Sequence, residues 1–459
     1  MFGFSRQADG IPLGYEWNPR TGEYGDKLIF DGSRAPHLLT IGPNDSGKGT
    51  RLLVPALLQM TGRSVVVIDP KGELAAITAQ WRRTAGEVVV LNPFGLHVGQ
   101  YPDLTSAGFN PLAFLDPAAP AFYDDAAGLA EALIRVEGDA QRHFPESARG
   151  LVTAAMMWER KVRGPQASLQ QVRMMLTERE EVREGRVVRG LRRTAEIMCD
   201  AAEQFPDAGG WQIASLASRF VHEFNNETSG IQSTVNTQTG WILSEPMASD
   251  LNRNGVDFRA LKQKPVTVYV ILPAERLREH SVWLRLVITS ALRSLYSPRG
   301  VPVLFMLDEF AQLGHLGPIE DALGQARGYG VALWPVLQDW NQLRDLYKDR
   351  AETFAGMSGA VFGFAPNDTS TAEWMSKRAG EETILGMSAG EAEDGDSLGP
   401  RINYHPQTRR VYPPHELFNL PEGHGLVWRA GQSRPLPVYA PPYWDIRDCA
   451  KRARRNPYY

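Results

Sequence analysis

Apolar residues in the first quarter of the chain form short continuous runs that alternate with stretches of helical spacing. Ser64–Asp69 reads Ser-Val-Val-Val-Ile-Asp, a β-branched run typical of a strand buried on both faces. A helix is predicted over Leu74–Thr84 and a second buried strand over Glu87–Leu91. Before them, the apolar run Pro36–Gly42 precedes a predicted helix, Arg51–Met60. This alternation of strands and helices predicts a parallel α/β sheet.

The pattern changes near Leu115, and residues 121–260 contain few β-branched runs. Apolar residues recur there with the period of a helix, for example in Leu151–Trp158. Ser168, followed three residues later by Gln171, fits the capping box of a helix start. We interpret this stretch as an all-helical insertion.

The alternation of strands and helices returns after residue 260. The predicted elements are the strand Val266–Pro273, the helix Ser281–Tyr296, the strand Val303–Asp308, the helix Leu316–Tyr329 and the strand Val331–Leu337. Val361–Phe364 is expected to be the last strand, and residues 387–400 have the composition of a mobile loop. The basic tail Lys451–Arg455 is expected to be disordered and solubilising, with contacts to DNA, acidic lipid or a partner as the alternative.

The composition excludes several classes of protein. The 459 residues are 43% hydrophobic and 22% charged, which is close to the globular average and excludes fibrous and disordered chains. Two cysteines, Cys199 and Cys449, cannot build a disulfide framework or a four-cysteine zinc site. The net charge of −4 means that any contact with nucleic acid has to come from a local patch or a pore.

The sequence contains neither a signal peptide nor an apolar run near the length of about 20 residues that a membrane-spanning helix needs. We therefore expect a cytoplasmic protein, attached peripherally to the inner membrane only if a partner tethers it there.

The clearest chemical motif is a glycine-rich loop between a predicted strand and a predicted helix. It satisfies Gly-x4-Gly-Lys, the core of a phosphate-binding P-loop, whose backbone N–H groups and helix N-terminus face a bound anion. The candidate nucleotide-binding residues are Gly42, Pro43, Asn44, Asp45, Ser46, Gly47, Lys48, Gly49 and Thr50. Gly49 replaces the usual hydroxyl residue that binds Mg²⁺, so that either Thr50 or water takes this place.

A second motif, the apolar strand Val303–Leu307 followed by two acids, has the pattern of Walker B. Asp308 is the candidate ligand of Mg²⁺, and Glu309 is the candidate base that orients and deprotonates an attacking water. A solvated acid pair at the end of a strand is the alternative, but the P-loop earlier in the chain favours ATP hydrolysis with Mg²⁺. The charged cluster Asp69–Glu73 also ends a predicted strand, where a ligand-binding edge and a solvated turn are equally good interpretations.

Several motifs occur together in a fixed order. They are Gly42–Gly49, Asp69–Glu73, Phe109–Leu112, Leu307–Phe310 with Leu313 and Gly314, Arg327–Gly330, and Gln338 with Gln342 and Leu343. Together they resemble the coupling proteins of type IV secretion and conjugation, the TraG-like family, which belongs to the FtsK–HerA motor group. The resemblance covers roughly residues 36–440.

This resemblance implies an α/β fold, a RecA-like P-loop nucleotide-binding domain with an inserted all-α domain. The corresponding boundaries are 1–114 for the first part of the nucleotide-binding domain, 115–261 for the helical domain and 262–459 for the second part with the tail. It also implies a ring-shaped homo-oligomer, typically a hexamer. Such proteins hydrolyse ATP and feed relaxase-bound single-stranded DNA or a protein effector to the subunits of a type IV secretion channel.

Two further site residues follow from the resemblance. Arg327 matches the arginine finger that reaches the γ-phosphate in a neighbouring subunit, and Gln338 matches the polar residue that senses this phosphate. Without the family, a surface arginine and a hydrogen-bonding residue at a strand end would be the plainer interpretations.

Most family members carry two membrane-spanning helices before the motor, whereas only about 40 residues precede the P-loop here. A separate membrane-anchor subunit or a different role for a soluble relative would account for this difference. Two alternative functions stay open: a nucleotide-gated docking receptor for relaxase or effector that does not pump, and a free-standing HerA-like DNA translocase.

The segment 159–193 holds ten basic and five acidic residues, a local net charge of +5. Its interpretations are a contact with DNA or relaxase and, more simply, a solvated helix face in which arginine and glutamate intermix.

Overall fold

The computed structural model describes residues 10–32, 34–136, 142–183, 186–206, 209–222, 225–296, 300–390 and 401–459. Its strands are β1 Ile11–Trp17, β2 Tyr24–Phe30, β3 His37–Ile41, β4 Ser64–Ile68, β5 Glu87–Leu91, β6 Glu181–Arg183, β7 Arg186–Arg189, β8 Val266–Val270, β9 Val303–Leu307, β10 Val331–Leu337, β11 Ser358–Phe364, β12 Glu381–Gly390, β13 Arg401–Arg410, β14 His424–Arg429 and β15 Leu436–Tyr439. Its α-helices are α1 Val54–Gln59, α2 Glu73–Ala85, α3 Phe122–Leu133, α4 His143–Arg163, α5 Leu169–Thr177, α6 Leu191–Cys199, α7 Ala201–Gln204, α8 Gly210–Ala217, α9 Asn226–Gln238, α10 Glu245–Leu251, α11 Leu277–Ser294, α12 Gly317–Gln325, α13 Trp340–Tyr347, α14 Ala351–Met357, α15 Thr369–Ala379, α16 Pro414–Phe418 and α17 Arg447–Arg452.

The chain forms two compact units. One comprises residues 1–60 and 334–451, and we call it the P-loop unit; the other comprises residues 61–333 and 452–459, and we call it the Walker B unit. The strand β10 begins in the Walker B unit and ends in the P-loop unit. The domain boundaries at residues 114 and 261 stay predictions from the sequence.

The P-loop unit contains a mixed sheet in which β3 runs parallel to β11 and to the end of β10. On the other side of β11, the strands β14, β15, β1 and β2 follow in antiparallel order. All five residues of β3 are buried, as expected of a strand with neighbours on both sides. The expectation that Val361–Phe364 is the last strand is wrong, because four strands follow β11 in the chain.

The Walker B unit contains the parallel strands β9, β4, β8 and β5 in that order. Every residue of β4, β8 and β9 is buried, which matches their continuous apolar sequences, since a parallel sheet is covered by helices on both faces. Leu307 at the end of β9 pairs with Ile68 at the end of β4, so these strands reach the same edge of the sheet together.

The helices α3–α10 lie between β5 and β8 in the chain, as the sequence predicts. The long helix α4 packs against α3, α5, α8 and α9 through the buried face around Leu151–Trp158. The side chain of Ser168 accepts a hydrogen bond from the N–H of Gln171, which confirms Ser168 as the N-cap of α5. Among its described residues, this segment also contains the short antiparallel strand pair β6 and β7.

The C-terminal tail is ordered, so the expected disorder of Lys451–Arg455 is wrong. The guanidinium group of Arg454 donates to the carbonyl oxygen of Ala76 at 2.8 Å and to the carboxylate of Asp103 at 2.8 Å, and it lies 4.6 Å from the ring centre of Tyr101. These contacts fix the tail to the Walker B unit. Of the predicted loop 387–400, residues 387–390 end the strand β12, and 391–400 lie outside the described residues.

Across the described part of the chain, the structure contains no helix with the length and apolar character required to span a membrane.

Candidate nucleotide-binding and hydrolysis site

The P-loop follows directly on β3 and starts at Gly42. The N–H of Gly42 donates to the carbonyl oxygen of Leu337 at 3.1 Å, which holds the start of the loop beside the end of β10. A Cβ at Gly42 would come within 2.9 Å of the side chains of Phe364 and Ser46, so that only glycine fits. Asp45 and Gly47 have positive φ angles of 62° and 83°, which turn the backbone sharply around the loop.

Lys48 is the charged centre of this loop. Its side chain is only 9% exposed, and its ammonium group donates to the carbonyl oxygens of Gly42 at 2.5 Å and Pro43 at 2.8 Å. The positive charge is thereby held over the loop, where phosphate oxygens can take the place of the carbonyl oxygens.

The helix that follows begins with the wide π-helical turns of Lys48–Leu53 and continues as α1. Its N-terminal N–H groups add to the positive end of the helix dipole at the loop. The hydroxyl of Thr50 donates to the carbonyl oxygen of Gly47 at 3.3 Å. A Cβ at Gly49 meets no described atom within 4 Å, so packing does not require glycine at this position.

The Walker B acids, Asp308 and Glu309, follow β9 and are both half-buried. The carboxylate of Asp308 accepts a hydrogen bond from the N–H of Glu309 at 3.0 Å. Glu309 has a left-handed backbone, with φ 49° and ψ 43°. This conformation costs a residue with a Cβ about 1–2 kcal/mol, and such strained positions are often found at functional sites.

Asp69 lies at the same edge of the sheet as Asp308, because β4 and β9 end together. Its side chain is 1% exposed; one carboxylate oxygen accepts from the N–H of Ala75 at 2.8 Å, and the other has no hydrogen-bond partner within the described residues. Burial raises the pKa of Asp69 to about 7; the N–H of Ala75 lowers it, and the nearby charges of Asp308 and Glu73 raise it further. The sequence pattern identified the charged cluster Asp69–Glu73, but it did not predict that the carboxylate of Asp69 is buried.

Gln338 follows the last residue of β10, which pairs with Ile41 just before the P-loop. The P-loop unit therefore brings Gln338 to the edge where the P-loop lies. The backbone N–H of Gln338 donates to the side chain of Gln342 at 3.0 Å. In the Walker B unit, Arg327 belongs to the single helical turn Ala326–Tyr329 after α12, and its side chain lies outside the described part of the structure.

Two other stretches that the sequence analysis singled out, Phe109–Leu112 and the basic segment 159–193, make structural contacts. The side chain of Asn110 accepts from the N–H of Leu112 at 3.1 Å and donates to the carbonyl oxygen of Ala167 at 2.7 Å. In the basic segment 159–193, Arg160 donates to a backbone carbonyl, and the buried Arg173 donates to Asn236. These contacts favour a structural role for that segment.

The described residues contain no cluster of three or more His, Cys, Asp or Glu side chains that could hold a metal ion. Proteins usually bind Mg²⁺ through one or two carboxylates together with water and the phosphates of a substrate. The half-buried carboxylate of Asp308 could serve as an oxygen ligand of this kind.

The family model for "Type IV secretory system Conjugative DNA transfer" matches residues 9–455. The chain belongs to this family. The match confirms the resemblance inferred from the motifs.

Curated relatives include the conjugal transfer protein TraG of Rhizobium radiobacter, which is 26% identical over 423 residues, covering 88% of this chain and 62% of that protein. The coupling protein VirD4 of Bartonella quintana is 24% identical over 439 residues, covering 92% of this chain and 64% of that protein. The chain thus spans less than two thirds of the length of these relatives.

Among solved structures, the plasmid coupling protein TrwB in complex with ADP and Mg²⁺ has a TM-score of 0.65 at 18% identity, with 96% of each chain covered. TrwB with a non-hydrolysable ATP analogue has a TM-score of 0.66 at 17% identity, again with 96% of each chain covered. These similarities confirm the predicted α/β fold, a RecA-like nucleotide-binding fold with an inserted helical segment.

Proposed function

We propose that this protein is an ATP-hydrolysing coupling protein that recruits DNA, as a relaxase-bound single strand, or a protein substrate, and drives it into a type IV secretion or conjugation channel. The observation that carries the proposal is the P-loop with Lys48 held over it by two backbone carbonyls. The similarity to TraG and VirD4 proteins, whose names describe conjugal transfer and secretion coupling, supports the same role.

ATP would be held by the P-loop residues 42–50. The loop fits a triphosphate because its start is fixed to β10, its turns use positive φ angles, and its lysine supplies a buried positive charge. The TrwB structures with ADP and with an ATP analogue support this assignment.

Mg²⁺ would be held by Asp308, with the hydroxyl of Thr50 or water in the place of the usual hydroxyl ligand. When bound, the ion neutralises charge on the phosphates. The hydrogen bond from the N–H of Glu309 fixes the orientation of the Asp308 carboxylate.

Glu309 would orient the attacking water and take its proton, as its place directly after the Walker B aspartate suggests. The left-handed backbone of Glu309 turns the chain immediately after β9. Gln338 would sense the γ-phosphate, and Arg327 would act on the nucleotide of a neighbouring subunit in a homo-hexamer.

The partners in this proposal are relaxase with single-stranded DNA or a protein effector, the subunits of the secretion channel, and a separate membrane-anchor subunit. The cytoplasmic location, with peripheral attachment to the inner membrane, stays a prediction from the sequence.

The proposal is tested by steady-state ATP hydrolysis over a series of protein concentrations, with and without single-stranded DNA. The wild type is compared with Lys48→Ala and Glu309→Gln. Lys27→Ala is the matched lysine control, because Lys27 has an exposed side chain on β2, outside the P-loop. We expect turnover that rises more than linearly with protein concentration, persists in the Lys27 variant and is lost in the other two.

Two outcomes would overturn the assignment. Normal hydrolysis by Lys48→Ala would exclude the P-loop as the phosphate site. Absent turnover by the wild type at every concentration, with ATP binding intact and stable binding of relaxase, would replace the motor by a nucleotide-gated docking receptor.

A further inference from the structure

Residues 454–458 of the Walker B unit lie along the turn 69–73 and the start of α2. The backbone N–H of Arg454 donates to the carbonyl oxygen of Ile77 at 2.9 Å. Further along the segment, Asn456 contacts Glu73 and Tyr458 contacts Lys71. The segment 454–458 therefore runs antiparallel to residues 71–77 and ends at the turn that follows β4.

Asn456 holds the first residue of α2 through a fully used side-chain amide. The side chain is 6% exposed, and its N–H₂ group donates to the carboxylate of Glu73 at 2.6 Å. Its carbonyl oxygen accepts from the backbone N–H of Tyr458 at 3.0 Å. Because each end of this amide has its own partner, the N–H₂ group is directed at Glu73 and only an amide satisfies both contacts.

The carbonyl oxygen of Lys71, in the middle of the turn, is held by two side chains from distant segments. The hydroxyl of Tyr458 donates to it at 2.8 Å, and Nε2 of His97 lies 2.9 Å from it. The rings of His97 and Tyr458 meet edge to face, with centroids 5.2 Å apart. At Gly72, which has a φ of 63°, a Cβ would come within 2.9 Å of the His97 side chain. The turn is thus enclosed by His97 and the segment 454–458.

The position of this turn determines where the carboxylate of Asp69 lies. The carbonyl oxygen of Asp69 accepts from the N–H of Gly72 at 3.2 Å, and its carboxylate accepts from the N–H of Ala75 at 2.8 Å. The charge of Asp308 acts on Asp69, and the charges of Asp69 and Glu73 in turn raise the pKa of Tyr458, which partial burial raises first. A shift of the turn would therefore change the electrostatic potential at the Walker B aspartate.

We propose that Asn456 and Tyr458 are positioning residues of the Mg²⁺ site, because they hold the turn 69–73 and keep the negative charge of Asp69 beside Asp308. The inference rests on the proposed function, in which Asp308 holds Mg²⁺ with ATP, and adds the segment that fixes the charge around this carboxylate. Asp69 acts through its charge, since a side chain that is 1% exposed does not reach a ligand directly. A second negative charge in a poorly hydrated place strengthens the attraction of a divalent cation.

The test is equilibrium binding of a non-hydrolysable ATP analogue with a fluorescent methylanthraniloyl label to the full chain at pH 8, with Mg²⁺ and with EDTA. The readout is the gain in affinity that Mg²⁺ provides. In Asn456→Ala and Tyr458→Phe this gain is expected to be at least about threefold smaller than in the wild type, whereas the affinity in EDTA is retained. The control Tyr459→Ala removes a neighbouring ring that is 84% exposed and should keep the full gain.

An exchange of donor and acceptor separates positioning from general destabilisation. Asn456→Asp places a carboxylate against that of Glu73 and should reduce the gain from Mg²⁺. The double variant Asn456→Asp/Glu73→Gln should restore it, because the amide of the new pair again donates to a carboxylate. Hydrogen exchange of the backbone amides 72–76 should be about fivefold faster in Asn456→Ala and normal in Tyr459→Ala, since a lost hydrogen bond loosens the turn.

An equal gain from Mg²⁺ in the wild type, Asn456→Ala and Tyr458→Phe would overturn the inference, even if the variants unfold more easily. An equal reduction in Tyr459→Ala, or no restoration in the double variant, would also count against it. A wild type that binds the nucleotide equally well with Mg²⁺ and with EDTA would overturn it and leave the P-loop assignment intact.

Failure of the proposed function has a different signature. Lys48→Ala should lose affinity both with Mg²⁺ and with EDTA, and full affinity of this variant would exclude the P-loop as the phosphate site. A gain from Mg²⁺ that depends on Asn456 and Tyr458, in a wild type that never hydrolyses ATP, would sustain the positioning role and overturn the motor.

Discussion

The buried carboxylate of Asp69 should make the stability of this protein depend on pH in a way that a single substitution removes. Asp69→Asn replaces an ionisable group by a neutral one of the same shape, and the amide oxygen can still accept from the N–H of Ala75. In the folded chain the pKa of Asp69 is raised from 3.8 to about 7, chiefly by burial, whereas the unfolded chain has the ordinary value. The folded state therefore holds the proton more tightly than the unfolded state.

The sign and size of the effect follow from this difference. Between pH 4 and pH 7 the folded state binds more protons, so stability falls as pH rises through this window. One pKa unit corresponds to about 1.4 kcal/mol, so the wild type should lose about 3 kcal/mol between pH 5 and pH 8 through this group. Asp69→Asn lacks the ionisation, although its buried amide N–H₂ adds a cost of about 1–3 kcal/mol that is the same at every pH. The stability of the variant relative to the wild type should accordingly rise by about 3 kcal/mol from pH 5 to pH 8.

The assay is urea unfolding of both proteins, followed by tryptophan fluorescence, at intervals from pH 5 to pH 8 in EDTA without nucleotide. Asp103→Asn serves as the control. Burial by itself raises the pKa of Asp103. The hydrogen bonds and positive charges of Arg454 and Arg83 outweigh this effect, so the pKa of Asp103 is lower than its ordinary value. Asp103 is ionised throughout this range in both states, so its substitution should cost the same at each pH. Parallel pH profiles of Asp69→Asn and the wild type would refute the reasoning.

Three further predictions concern backbone strain, close packing and the tail. Glu309→Gly is expected to be about 1 kcal/mol more stable than Glu309→Ala in urea unfolding, because only glycine relieves the φ of 49°; equal stability would contradict the strained conformation. Gly42→Ala is expected to lower the melting temperature by several degrees, because of contacts at 2.9 Å, whereas Gly49→Ala leaves it unchanged; similar melting of the two variants would count against the packing of the loop. Arg454→Ala is expected to cost about 2 kcal/mol of stability through its lost hydrogen bonds, against little change for the exposed Arg455→Ala, and an equal loss in both would argue against docking of the tail.

Much of the nucleotide-binding machinery could be predicted because each part is a contiguous stretch of chain. The strand Glu87–Leu91 and the strand Val331–Leu337 have the predicted bounds. Continuous β-branched sequences indicate burial on both faces, and a glycine-rich loop between a strand and a helix indicates phosphate binding. These signals are local and need no knowledge of distant contacts.

The strands that the sequence missed owe their stability to distant partners. The strand β14 pairs with β11, with Leu426 opposite Gly363, and β15 pairs with β1, with Tyr439 opposite Tyr15. The strands β12 and β13 pair only with each other within the described residues, as a separate two-stranded sheet. Strand pairing of this kind is decided by tertiary context more than by intrinsic propensity.

By itself, the sequence determined the α/β class, the helical segment, the P-loop and the Walker B acids, because local hydrophobic pattern and backbone requirements specify each of them. Only the tertiary structure decided the burial of Asp69 beside Asp308 and the docking of Arg454 on Ala76. These features arise where distant segments meet. Desolvation and the spacing of charges depend on every neighbour in space, and neighbours along the chain do not reveal them.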